Sequence, residues 1–189
     1  MHGAILARTA DTLTLARALL AAALAGAVAA ERVGIAAWLL VAAWCSDAAD
    51  GRLARAGRQP TRLGRHDLVI DTAVGVGLLV GMALSGHVPV LAAAGLIVLL
   101  GGGFLALGNA ALSMALQAVA YASFIVVLWR AAPTLRWVPV SAVLALFVLE
   151  FRRLIAVTIP TFLADLAALG RRRHTNGFIR PRHGAGRQE

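Results

Sequence analysis

The sequence predicts an all-α integral membrane bundle of six transmembrane helices with a polar cleft facing the cytoplasm. Three observations predict it. Apolar residues make up 60% of the 189 and charged residues only 14%, a balance found in membrane-spanning chains rather than soluble domains. Apolar runs long enough to cross a bilayer recur along the chain, separated by short turn signals. The loops carry their arginines unevenly: one set is rich in Arg and the other nearly free of it.

The elements follow in order. Met1 to Asp11 is short and polar enough to lie at a membrane surface. Residues 13–30 form the first apolar run, interrupted by Arg17. Its end, Ala-Gly-Ala-Val-Ala-Ala, resembles a signal-peptidase site, but further spans follow directly, which favours a retained helix. Residues 33–49 form the second span and lead into an aspartate-rich stretch. Gln59, Pro60 and Thr61 mark a turn, since proline disfavours helix at the residue before it. Residues 68–85 form the third span. Gly86 and His87 turn the chain before Pro89, and residues 90–107 form the fourth, with Gly101-Gly102-Gly103 inside it as a close-packing face.

Gly108 and Asn109 make the next turn, and residues 110–129 form the fifth span. A loop containing Pro133 follows. The sixth apolar run opens at residues 138–149, is interrupted by Glu150, Arg152 and Arg153, and resumes over residues 154–169. Residues 1–170 therefore read as one six-helix transmembrane domain. Residues 171–189 read as a basic cytoplasmic tail, disordered by composition beyond Thr175.

Six spans put both termini on one side, together with the loop of Arg52 to Arg65 and the cluster Arg171, Arg172, Arg173. The positive-inside rule makes that side cytoplasmic. All 18 basic residues, histidines aside, are Arg, and the formal net charge is +9. Because the arginines flank apolar spans, their partners read as anionic lipid headgroups and phosphate ligands, not nucleic acid. A GC-rich coding bias also fits the absence of Lys. The single Cys45 excludes an internal disulfide and a cysteine metal cluster, and it reads as a buried small hydrophobe. Trp38, Trp44, Trp129 and Trp137 read as interface-belt residues.

The chemistry concentrates between Asp47 and Asp71. Four of the nine acidic residues stand there: Asp47, Asp50, Asp67 and Asp71. Carboxylates at the mouths of apolar helices are costly and need a functional reason. Asp47 and Asp50 are i,i+3, and Asp67 and Asp71 are i,i+4, so on helices each pair projects from one face. A short loop between the helices lets both pairs face one cleft. Four carboxylates in one small volume repel unless cations neutralise them. Oxygen-only ligation suits Mg2+ or Mn2+. Two such cations about 3.5–4 Å apart would clamp a phosphoryl group during in-line displacement. No Ser-His-Asp or Cys-His set suggests covalent catalysis instead.

Read whole, Asp47-x2-Asp50-Gly51-x2-Ala54-Arg55-x8-Gly64-x2-Asp67-x3-Asp71 resembles the signature of CDP-alcohol phosphotransferases, D-x2-D-G-x2-A-R-x8-G-x3-D-x3-D. The departure is one residue fewer between Gly64 and Asp67. Leu13-Thr14-x2-Arg17 resembles, more weakly, the L-T-x2-R element of the family's first helix. The resemblance implies a six-helix membrane enzyme of phospholipid biosynthesis, usually a homodimer, in a bacterial inner membrane. It implies transfer of a substituted phosphate from a CDP-linked donor such as CDP-diacylglycerol to an alcohol acceptor, releasing CMP. Phosphatidylglycerophosphate and phosphatidylinositol-phosphate synthases are the leading subtypes.

By the same resemblance Asp47, Asp50, Asp67 and Asp71 hold two divalent cations, and Asp71 deprotonates the acceptor hydroxyl. Gly51 and Ala54 match positions where the cytidine nucleotide needs close approach, Arg55 matches a donor-phosphate contact, and Gly64 matches a further substrate-binding position. Arg17, Arg62, Arg152 and Arg153 are further candidates for phosphate or acceptor contacts. Glu150 and Arg153, being i,i+3, can instead neutralise each other. Two other readings stay open. One is an intramembrane prenyltransferase of the aspartate-rich kind, although its Asp motifs lie far apart on more helices. The other is a degenerate family member acting as a structural membrane protein.

Overall fold

The computed structural model describes residues 2–57 and 67–175; for 2–8, 10, 11, 51, 54–57, 152, 153 and 169–175 it describes the backbone alone. Every regular element among the described residues is helical. They are α1 (His2–Ala29), α2 (Val33–Gly57), α3 (Asp67–Leu84), α4 (Val90–Leu96), α5 (Gly103–Leu107), α6 (Ala110–Ala131), α7 (Trp137–Arg153) and α8 (Ile159–Thr175). A π-helical segment, Ile97–Gly102, joins α4 to α5, and another, Leu154–Thr158, joins α7 to α8. The expected turn at Gln59–Thr61 and residues 176–189 of the expected tail lie outside the described residues, while residues 171–175 of that tail continue α8.

Among the described residues five helices are long and apolar enough to cross a membrane: Thr12–Ala29, Val33–Asp50, Asp67–Leu84, Val90–Leu107 and Ala110–Ala131. The sixth apolar run differs from the others. Helix continues through Glu150, Arg152 and Arg153 without a break, but those charges divide it into two shorter apolar stretches, Trp137–Phe151 and Leu154–Ala168. Charged side chains interrupt the apolar pattern while leaving every backbone hydrogen bond of a helix available, so composition and backbone part company here.

The turns follow their local chemistry. At the α1–α2 junction Glu31 adopts φ 58°, and Arg32 N–H donates to Ala27 O at 2.8 Å, a six-to-one closure that ends α1. Gly108 ends α5 at φ 62°, a conformation that costs glycine little. Asn109 then caps α6 by accepting from the Ala111 N–H at 3.0 Å. Its amide also donates to Asp165 O at 3.0 Å, tying the start of α6 to α8.

α1 is the central helix and packs most extensively on α2 and α3. Leu24, Val28, Leu40, Leu78, Leu79 and Phe124 are fully buried around it. Small residues permit a close approach to α3. A Cβ on Gly77 would stand 2.6 Å from Ala21 O, and one on Gly81 would stand 2.7 Å from Ala25 O. The small-xxx-small spacing of Gly77 and Gly81 is a helix-packing device in membranes, where there is no hydrophobic drive to bring helices together.

The Gly101–Gly103 run both packs and perturbs the helix. Gly101 and Gly103 approach Leu116 and Leu112 of α6, while Gly102 closes the π-helical segment. Two expectations are corrected. Cys45 is exposed, on the outward side of α2. Trp44 is not a belt residue: its ring meets the edge of Tyr121 at 5.2 Å inside the bundle. In both cases the angular position on α2, set by packing against α1 and α6, overrides residue type. Trp129 and Trp137 do group at one end, where Arg136 lies 4.9 Å and 5.7 Å from their rings, a cation–π arrangement suited to an interface.

Candidate active site

The four aspartates come from two helices. Asp47 and Asp50 lie on the second half of α2, and Asp67 and Asp71 on the first turns of α3. Their spacings put each pair on one helix face, and α1 lies beside both faces. The structure brings all four together around one side chain, Arg17 of α1. Arg17 is 1% exposed. Its Nη1 is 3.2 Å from Asp47 and 3.0 Å from Asp67 and also donates to Asp71, while its Nη2 donates to Asp50. Nε donates to Ser46 Oγ at 3.4 Å. Snorkelling to a headgroup, the alternative for a cation near a span's end, is therefore not what Arg17 does.

The aspartates are not equivalent. Asp50 is buried and accepts from Thr14 Oγ1 at 3.3 Å. Asp47 keeps half its side chain exposed. Asp47, Asp67 and Asp71 each offer an oxygen, all within 4.8 Å of one another. Three hard oxygen donors at that spacing fit a divalent cation such as Mg2+ or Mn2+. Four carboxylates drawn together around one guanidinium repel one another, which also favours cations in this volume.

A cavity of about 350 Å3 opens beside Asp47, between α2, α6 and α7, lined mainly by Trp44, Tyr121, Val143, Leu146 and Phe147. Glu150 stands on its wall and accepts from Arg52 Nε at 2.9 Å. The pairing seen for Glu150 is thus across helices, where the i,i+3 reading pointed to Arg153; Arg153's side chain lies outside those described.

The remaining sequence candidates stand as follows. Gly51, Ala54 and Arg55 continue α2 beyond Asp50, and Arg152 and Arg153 end α7, with backbone positions only for Ala54, Arg55, Arg152 and Arg153. Gly64 and Arg62 lie outside the described residues, as does His66.

Sequence reasoning missed a polar ladder on α6. Thr72, next to Asp71, shares a 2.6 Å hydrogen bond with Ser113. Gln117 donates to Ser113 Oγ at 3.1 Å, and Tyr121 donates to Gln117 Oε1 at 3.3 Å. Ser113, Gln117 and Tyr121 recur at i,i+4, so the signal was one polar face on an otherwise apolar span. Ser46 and Thr14 carried a similar signal, each sitting one helical turn from a charged site residue.

Fold and site together define a class: a helical membrane protein with a tetra-aspartate site inside its bundle. Comparison with known families makes the class specific. A family model, CDP-alcohol phosphatidyltransferase, matches residues 7–161, spanning α1 through the start of α8. The chain belongs to the CDP-alcohol phosphatidyltransferase family, whose chemistry is transfer of a phosphatidyl group from a CDP-alcohol. No individual curated protein and no solved structure matched it.

Proposed function

We propose that this chain transfers a phosphatidyl group from CDP-diacylglycerol to a small alcohol and releases CMP, using two divalent cations held by Asp47, Asp50, Asp67 and Asp71. The observation that carries the reading is the convergence of these aspartates, from two helices, around the buried Arg17 side chain. In this reading α7 supplies the sixth crossing, and the aspartates open to the cytoplasm of a bacterial inner membrane. A homodimer is the expected assembly.

Bound there, the cations would neutralise the donor diphosphate and lower the pKa of the acceptor hydroxyl. Asp71 accepts the hydroxyl proton. The acceptor oxygen then bonds to the phosphorus of the phosphatidyl group as that phosphorus releases the bridging oxygen to CMP. Arg55, one turn beyond Asp50 and Gly51, is the candidate contact for the departing phosphate. Gly51 lets the nucleotide approach the α2 backbone. The apolar cavity beside Asp47 suits an acyl chain of the donor. Positioning and charge neutralisation carry most of this chemistry.

The test is CMP release from CDP-diacylglycerol by purified protein in detergent. It is run with Mg2+ or Mn2+ and with glycerol 3-phosphate, inositol phosphate, serine or phosphatidylglycerol as acceptor. Acceptor-dependent release that disappears with chelator is expected, and the active acceptor names the subtype. No release with any acceptor, together with no metal-dependent binding of the donor, would favour a degenerate structural member. The shortened Gly64-to-Asp67 spacing is the feature that supports that second reading.

A further inference from the structure

Arg17 occupies the point where a cation bound by this site would have to sit. Its Nη1 touches Asp47, Asp67 and Asp71, the same three residues whose oxygens lie within 4.8 Å of one another. A Mg2+ ion bound to those oxygens stands about 2.0–2.1 Å from each, inside the volume Nη1 fills. Guanidinium nitrogen and metal ion exclude one another there by overlap and by like charge. Arg17 is also fully buried, so bulk water is not its alternative partner. Two of its contacts lie away from that point: Nη2 on Asp50 and Nε on Ser46.

We propose, resting on the reading of this site as a divalent-cation site, that Arg17 is a tethered counter-cation that competes with the metal. In the metal-free protein it holds the four carboxylates together, because a buried guanidinium among them offsets the repulsion they exert on one another. When divalent cations bind, Nη1 gives up Asp47, Asp67 and Asp71 while Nη2 and Nε keep Asp50 and Ser46 as a pivot. Two divalent ions then balance the four carboxylates by themselves. The guanidinium charge is left over to meet an anionic group brought into the site. Arg17 thereby sets the threshold of metal affinity and is a positioning residue for that group.

The test is Mn2+ binding to purified protein in detergent, followed by electron paramagnetic resonance of free Mn2+, for wild type, Arg17→Gln and Arg17→Lys. Melting temperatures are recorded with and without Mn2+. Arg17→Gln is expected to bind Mn2+ at least ten-fold more tightly than wild type. It should melt lower than wild type without metal and gain more from saturating Mn2+. Equal or weaker Mn2+ affinity in Arg17→Gln overturns the competition while leaving the metal site standing. Absence of Mn2+ binding in wild type and both variants overturns the site reading itself. Should Arg17→Gln fail to fold, Arg17→Lys decides. One ammonium cannot span four carboxylates as a guanidinium does, so tighter Mn2+ binding than wild type supports the proposal and equal or weaker binding overturns it.

Discussion

Arg52 Nε donates to Glu150 Oε1 at 2.9 Å, joining the end of α2 to α7 beside the cavity that opens at Asp47. The Arg52 side chain is 48% exposed, so the pair contributes at most about 1 kcal/mol to stability. Its effect should be on the position of α7. Glu150→Gln is expected to leave the melting temperature nearly unchanged and to raise KM for the lipid donor several-fold. Kinetics at varied CDP-diacylglycerol check this, and an unchanged KM would remove the pair from any role in shaping the cavity.

Helix packing should control the site from a distance. Arg17 meets Asp71, Ala21 meets Gly77, and Ala25 meets Gly81. These pairs advance together along the two helices, so α1 and α3 run parallel and Gly77 and Gly81 set their separation. Gly81→Val has to force its side chain against Ala25 O and Val28 Cβ, 2.7 Å and 2.8 Å from the new Cβ. Overpacking of this kind costs about 1–3 kcal/mol. A lower melting temperature with reduced turnover is expected, although Gly81 lies far from the aspartates. Thermal unfolding in detergent reads the first effect and CMP release the second.

Asp71→Asn should reduce transfer by at least about 100-fold, the lower end of what a positioned base contributes. The amide keeps the shape of the carboxylate, so the helical fold is expected to persist by circular dichroism. Near-normal turnover in a folded Asp71→Asn protein would remove the base assignment.

Asp47→Asn separates metal holding from proton transfer, since Asp47 is one of the three clustered oxygen donors. Metal-dependent binding of the CDP-linked donor should weaken by ten-fold or more. Calorimetric titration with and without Mg2+ measures it, and identical affinities for variant and wild type would exclude Asp47 as a ligand.

Filling the apolar cavity should discriminate lipid from headgroup recognition. Leu146→Trp places a large side chain into a space of about 350 Å3. The expected outcome is a raised KM for CDP-diacylglycerol with Mn2+ affinity unchanged. If short-chain and long-chain donors are affected equally, the cavity does not hold an acyl chain.

Much of the candidate site was legible in the sequence because its information is local. Helical period alone puts Asp47 with Asp50 and Asp67 with Asp71, each pair on one face, whatever the rest of the chain does. Apolar run lengths located five spans within a few residues for the same reason. The sixth was less legible: Glu150, Arg152 and Arg153 lower hydropathy without breaking a helix. Cys45 and Trp44 were misread because burial on a membrane helix depends on which direction a residue faces, and in lipid an exposed apolar residue carries no penalty. The α6 ladder of Ser113, Gln117 and Tyr121 was present as a pattern, but only contact with Thr72 connects it to Asp71.

The sequence by itself determined that this is a helical membrane chain of the CDP-alcohol phosphatidyltransferase kind, with its acidic residues paired at the mouths of two spans. Side-chain period, span length and motif spacing are properties of a single helix or a single loop, and they are readable without a neighbour. The tertiary structure decided what those aspartates face. It put the Arg17 guanidinium among all four, joined Arg52 to Glu150, and brought α3 against α1 through Gly77 and Gly81. Each of these depends on the rotation and distance of one helix relative to another. That relation is fixed by side chains distant in sequence packing at once, and no local pattern encodes it.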